Sequence, residues 1–324
     1  MPRPAKPKPA KPLTGGTVLF FSPAYRVGFL GLERLHPADT FRADRIAEYL
    51  VSEQLLSDAC FGIPLSATLE QLSMVHDPGY LASLQKAQTL RLALEVPIPT
   101  FLGSGILNRR VLLPFQHSSG GTIAAAQAAV KDGCLAINLG GGFHHARPAL
   151  GHGFCLYNDV AIAISQLRYD GFSGNVLVVD TDVHQGDGTH ACLAGWPGVF
   201  SFSMHQDELF PHPKVPGDLD VPVPRGSRDA DFLALLKSSL QDIFSAFQPE
   251  LVFHVAGADV LHDDPLGELN LTVEGLVSRD VLVANAARSR NIPHVHLLAG
   301  GYGPSAATAQ GRSIAAMLRR EAER

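Results

Sequence analysis

Residues 176–188 read VLVVDTDVHQGDG, and this stretch decides the fold. Four apolar residues run straight into Asp180, and Asp182, His184 and Asp187 follow within seven positions. A short unbroken apolar run is what a strand covered on both faces requires, and such strands belong to parallel sheets. The abrupt change to carboxylate and imidazole marks the strand's carboxyl end, where open parallel sheets bind ligands.

Five more runs have the same form, at 18–21, 134–139, 199–203, 251–256 and 294–299. Four of them lead into glycine or polar chemistry: GGGFHH (140–145), Met204 with His205, GAD (257–259) and GGY (300–302). Between the runs lie helix-like segments at 122–131, 158–167, 231–247 and 273–290. Alternation of this kind predicts an α/β fold with a central, mostly parallel sheet flanked by helices. The strand ends would then gather on one crevice.

Composition agrees with one enzyme-like domain. Of 324 residues, 18% are charged, below the roughly 25% usual for globular domains. Histidine is abundant, and eight of the 14 fall between positions 117 and 212. Residues 1–12 hold Arg3, Lys6, Lys8 and Lys11 and no acid, so the rest carries 22 Lys and Arg against 31 Asp and Glu. An acidic body gives no basic face for nucleic acid. Residues 1–16 are read as a disordered Pro/Lys-rich leader, and 17–324 as the single catalytic domain. Cys60, Cys134, Cys155 and Cys192 form no CxxC pair, which points to a reduced, cytoplasmic setting. The longest uncharged run, 111–130, is broken by Pro114, Gln116, His117, Ser118 and Ser119 and is no membrane span.

Asp182 and His184 stand two apart, so on extended chain their side chains share a face. Asp259, after a later strand, would complete three ligands with an open fourth position, the pattern of catalytic zinc. Two carboxylates in the set also suit Fe²⁺, Mn²⁺ or Co²⁺. The competing reading is a carboxylate loop that merely caps a helix. His144 and His145, turned inward by the preceding glycines, are candidate bases, and Asp180 and Asp187 are spare carboxylates to orient them. Tyr302 offers an uncharged donor for a developing oxyanion. Phe154 and Phe210 supply aromatic walls for a slender chain. His254, His294 and His296 sit on strand runs and are read as satisfied structural histidines. His152, His190, His205 and His212 show no partnering pattern.

Taken in order, GGGFHH, GFC (153–155), VDTDVHQGDG (179–188), SMH (203–205), GAD and GGY resemble the zinc-dependent histone deacetylase, acetoin utilization and acetylpolyamine amidohydrolase superfamily. The likeness runs from Phe20 to about residue 318. FSPAYRVGFLGLERLHP (21–37), SSGGT (118–122) and Gln185 look most like its class IV branch, which includes lysine deacylases that prefer long acyl chains. The resemblance implies a single-domain arginase-like fold and a hydrolase that removes acetyl or longer acyl groups from lysine side chains. It implies zinc on Asp182, His184 and Asp259, His145 as general base oriented by Asp187, His144 paired with Asp180, and Tyr302 on the substrate carbonyl. Phe154 and Phe210 would line the lysine tunnel, Leu266 would stand at its rim, and the Gly153 carbonyl would face the substrate N–H. A structural potassium ion would use Asp180, Asp182, His184, Ser203 and Met204. The partners implied are acylated lysines in proteins or peptides, or small acylated amines, with no membrane or nucleic acid. From 96 to 131 there is no Asp or Glu, so the rim aspartate by which many relatives hold the substrate backbone has no counterpart there. A small-molecule amidohydrolase and a non-catalytic acyl-lysine binder are the competing functions.

Overall fold

The computed structural model describes residues 6–28, 31, 33 and 36–323. Phe29, Leu30, Leu32, Arg34 and Leu35 of the 21–37 signature, and residues 1–5 of the leader, lie outside the described residues. Seven strands form one sheet: β1 (Val18–Phe20), β2 (Leu135–Asn138), β3 (Val176–Asp180), β4 (Val199–Gln206), β5 (Leu219–Val223), β6 (Leu251–Val255) and β7 (His294–Leu297). Every neighbouring pair is parallel, and the order is β1-β2-β7-β6-β3-β4-β5.

Eleven α-helices are described. They are α1 (Arg42–Ser52), α2 (Leu69–Ser73), α3 (Pro78–Ser83), α4 (Ala87–Leu94), α5 (Ser104–Leu107), α6 (Leu113–Asp132), α7 (Asp159–Tyr169), α8 (Asp187–Leu193), α9 (Asp229–Ala246), α10 (Val273–Arg288) and α11 (Ala306–Ala322). They cover both faces of the sheet. Along β3, Val176 and Val178 pack into the core with α6 and α7, while Leu177 and Val179 pack into the core with α9 and α10. That alternation is why the strand sequence is apolar throughout. Asn158 and Thr272 cap α7 and α10, each accepting a backbone N–H from the first turn.

Two expectations are corrected, and the described part of the leader is placed. β5 has no counterpart among the sequence runs, because its LDVPV carries Asp220 and Pro222; proline is tolerated here since β5 is the edge strand. α6 starts at Leu113 instead of 122, because Ser118, Ser119, Gly120 and Gly121 are buried on it and packing overrides their weak helix propensity. The described part of the leader lies along the body: Lys8 N donates to the Ile63 carbonyl at 3.0 Å and Lys11 N to the Cys60 carbonyl at 3.0 Å. Extended chain leaves its backbone groups free to pair in this way.

From β3 the chain proceeds outward to β4 and β5, then returns to β6 on the other side of β3. This reversal opens a crevice at the carboxyl ends of β3 and β6.

Candidate active site

Asp180 is in register with Val255, so the loops after β3 and β6 leave the sheet at one level. They bring Asp182, His184 and Asp259 together, with one ligand atom from each within 4.8 Å of the others. His184 Nδ1 is 3.2 Å from Asp182 Oδ1 and 3.4 Å from Asp259 Oδ2. The other oxygens are already occupied: Asp182 Oδ2 accepts from Gly300 N at 2.9 Å, and Asp259 Oδ1 from Val183 N at 3.0 Å. Asp259 Oδ2 is buried and has no hydrogen-bond partner. Burial and the neighbouring Asp182 charge push the Asp259 pKa up to about 7. A Cβ at Gly257 would collide with Asp182 Oδ2, and one at Gly300 with Asp259 Oδ2. Two carboxylates and an imidazole crowded around an orphaned oxygen, with no room for a side chain, fit a divalent cation.

His144 and His145 follow β2 on a turn in which Gly141 and Gly142 take φ of 72° and 78°. That left-handed backbone favours glycine and aims both imidazoles inward, with ring centroids 4.1 Å apart. Each histidine has its own carboxylate. His144 Nδ1 is 2.7 Å from Asp180 Oδ2, and His145 Nδ1 is 2.7 Å from Asp187 Oδ1. Their protonation is driven apart. Burial opposes charge on His144, but Asp180 and Asp182 outweigh it and hold its pKa up, at about 10. Burial and the neighbouring His144 push His145 down to about 3.

Tyr302 follows β7 and stands over Phe154, ring centroids 5.7 Å apart. Its loop is held from two sides. Arg42 donates to the carbonyls of Ala299, Gly300 and Gly301, and Asp264 accepts from Tyr302 N at 2.6 Å and Gly303 N at 2.9 Å. His144, His145, Phe154 and Tyr302 line a cavity of about 220 Å³. Leu94, Ile98, Val111, Pro114, Phe115 and Phe143 give it an apolar wall.

A histone deacetylase domain matches residues 36–318. The chain belongs to the histone deacetylase family. Histone deacetylase 2 of Arabidopsis thaliana is 36% identical over 299 residues, covering 91% of this chain and 77% of that protein. Acetoin utilization protein AcuC of Staphylococcus aureus is 30% identical over 285 residues, covering 82% of this chain and 72% of that one. The acetylpolyamine aminohydrolase of Burkholderia pseudomallei superposes with a TM-score of 0.73 at 22% identity, covering 93% of this chain and 98% of that one. The arginase/deacetylase-like α/β fold expected from the sequence is thus present, and the family's activity makes the chain a hydrolase.

The structure brings His144, His145, Gly153, Phe154 and Tyr302 to one cavity, and two of the expected tunnel residues do not line it. Phe210 packs against His145 at 4.9 Å and His184 at 6.1 Å between ring centroids, yet it is not among the residues lining the cavity. Leu266 is half-buried on the loop that carries Asp264 and does not line the cavity either. Gly153 lines it beside Phe154, and its carbonyl accepts from Cys155 Sγ at 3.3 Å. Register pairs Asp180 with Ser203, and Met204 is buried beside it.

Several residues at the site were not found by sequence reasoning. Asp187 Oδ2 also takes Arg147 Nε at 2.7 Å and lies 3.0 Å from His152 Nε2. Arg279 donates to the carbonyls of Thr181 at 3.0 Å and Gly257 at 2.6 Å, tying the loops after β3 and β6 together. His36 packs edge-on against Phe154 at 4.2 Å between centroids. These residues lie far apart in sequence, and the only local signal was His152 standing directly before Gly153-Phe154. The strand histidines are a correction of a different kind. His254, His294 and His296 are buried, but His254 Nδ1, His294 Nε2 and both nitrogens of His296 have no hydrogen-bond partner. Strand backbones satisfy only one another, so side chains on the covered face depend on helix residues that do not reach these nitrogens.

Proposed function

We propose that the protein is a metal-dependent amidohydrolase that removes acyl groups, acetyl or longer, from lysine side chains of proteins or peptides. The observation that carries this reading is the pairing of two histidines with two separate carboxylates, beside the Asp182–His184–Asp259 cluster, with both histidines lining a cavity that has an apolar wall.

A divalent ion on Asp182, His184 and Asp259, zinc first among Zn²⁺, Fe²⁺, Mn²⁺ and Co²⁺, supplies Lewis acidity to the amide carbonyl and to the attacking water. Two carboxylates in this donor set would offset the ion's formal charge, so a protein base matters more than at a site of three neutral histidines. His145 fills that role. Its Nδ1–H is committed to Asp187, which leaves Nε2 as the lone pair that takes the water's proton. His144, held protonated by Asp180, places a positive charge beside the reacting carbonyl. The Tyr302 hydroxyl, kept un-ionised by burial and the Asp259 charge, donates to the carbonyl oxygen as negative charge develops there. The proton collected on His145 is then delivered to the leaving amine nitrogen as the C–N bond breaks, giving carboxylate and amine. The Gly153 carbonyl is the acceptor offered to the substrate N–H. Asp180, Ser203 and the backbone oxygens of Asp182, His184 and Met204 are hard oxygen donors of the kind a potassium ion takes, and such an ion would stiffen the loop.

The cavity supports the longer acyl groups. At about 220 Å³ it offers the liquid volume of roughly seven waters, far more than an acetyl group fills. The class IV resemblance points the same way.

A turnover panel tests the proposal. Purified protein stripped by chelator and reloaded with defined metals is given an acetyl-lysine peptide, a long-chain acyl-lysine peptide and an acetylated polyamine. Chelator-sensitive release from the peptides, greatest from the long chain, is expected. No metal-dependent release from any amide would overturn the hydrolase reading, and preference for the polyamine would overturn the lysine one.

A further inference from the structure

Outside the active-site crevice, the densest group of unsatisfied polar atoms lies in the core. β6 and β7 run side by side with His254 opposite His296 and Val252 opposite His294. Side chains two apart on a strand share a face, so all three imidazoles point to the layer covered by α10. Their ring centroids are 5.2 Å (His254–His296), 6.0 Å (His254–His294) and 6.2 Å (His294–His296) apart. One nitrogen from each lies within 4.8 Å of the other two. His254 and His296 are wholly inaccessible and His294 is 3% exposed. Four ring nitrogens of the trio have no partner. A buried polar nitrogen without a partner is destabilising, and a ligand shared by the cluster would relieve all three rings together.

We propose that His254, His294 and His296 form a second metal site, which takes an imidazole-preferring transition-metal ion such as zinc or copper. Three features support it. The donors are chemically right: neutral imidazole is a ligand for Zn and Cu, and burial holds all three rings neutral. One nitrogen of His254 is already placed: its Nε2 is 2.9 Å from Thr181 Oγ1 and 3.9 Å from Asp280 Oδ1, which leaves Nδ1 bare. An approach exists: a cavity of about 50 Å³ between α10, α11 and the start of β2 is lined by Cys134, Arg288 and His294. A tetrahedral ion with Zn–N bonds near 2.0 Å needs nitrogens about 3.3 Å apart, so the rings would draw together from their present spacing within 4.8 Å. Asp280 brings a carboxylate to the site and is itself paired with Arg279 at 2.8 Å. Through Thr181, which lies between Asp180 and Asp182, the site also touches the catalytic loop.

The proposal stands apart from the acyl-lysine reading and is tested without turnover. Metal-free full-length protein is titrated with Zn²⁺, and metal retained after gel filtration is measured. Two equivalents per chain are expected for the natural sequence, and one for His294→Gln and for His296→Gln, with circular dichroism confirming their fold. One equivalent in the natural protein would overturn the proposal and leave a trapped water as the occupant. Two equivalents retained by both folded variants would also overturn it, since the second ion would lie elsewhere. Should the variants fail to fold, Cu²⁺ electron paramagnetic resonance of the natural protein decides. Coupling of one bound Cu²⁺ to several imidazole nitrogens is expected, because the Asp182–His184–Asp259 cluster offers only one. Coupling to no more than one nitrogen at either equivalent overturns the site.

Discussion

Asp187 Oδ1 lies 2.7 Å from Nδ1 of His145, while the other oxygen of the same carboxylate holds Arg147 and His152. One buried acid thus orients the proposed base and holds Arg147 and His152 around it. Burial opposes its ionisation, but the hydrogen bonds from His145 and His152 hold Asp187 well below the usual carboxylate range. Asp187→Asn keeps the shape and removes the charge. Turnover should fall by about 10²-fold or more with metal content unchanged, because the imidazole loses its fixed tautomer. Steady-state kinetics beside elemental analysis checks this, and near-normal turnover in a metal-replete variant would refute the orienting role.

Arg279 spans the carbonyls of Thr181 and Gly257, one from each ligand-bearing loop. A lysine keeps the charge but lacks the planar fork needed to reach both carbonyls and Asp280 together. In Arg279→Lys the metal concentration for half-maximal turnover should rise about 10-fold, with kcat at saturating metal little changed. An unchanged half-saturation point would show that the loops do not depend on this residue.

Val111 and Ile98 are buried in the wall of the inner cavity. Val111→Phe would narrow the space assigned to a long acyl chain. The ratio of kcat/KM for a long-chain acyl peptide to that for an acetyl peptide should fall about 10-fold or more. If the ratio holds while acetyl turnover is retained, long chains take another path.

His76 is buried, and its Nε2 accepts the N–H of Asn158, the residue that caps α7. Burial lowers its pKa from 6.5 to about 4. The folded chain therefore keeps His76 neutral at pH values where the unfolded chain already binds a proton. Stability from this group is complete above about pH 6.5 and falls as pH drops towards 4, by about 3 kcal/mol in all. Urea unfolding followed across that window should show a shallower pH slope in His76→Gln, by up to about 1.4 kcal/mol per pH unit. An identical slope in both proteins would contradict the assignment.

Much of this was legible in the sequence because the chemistry sits at strand ends. Asp182 and His184 share a face by period alone, and the glycines before His144 announced a turn. What was not legible involved partners far apart along the chain. Nothing near Arg42 hints that it holds the 299–301 carbonyls some 260 positions later, and β5 is disguised by its proline.

The sequence by itself determined the strand runs, the order of chemistry at their ends and the residue types for a metal and two bases, since each is a local pattern of period and polarity. Only the tertiary structure decided that Asp187 carries three partners, that Arg279 joins the loops after β3 and β6, and that the strand histidines lie unsatisfied against one another. Those facts depend on register and on the reversal of strand order at β3, which bring residues 144, 187 and 259 within reach. No local pattern encodes that distance.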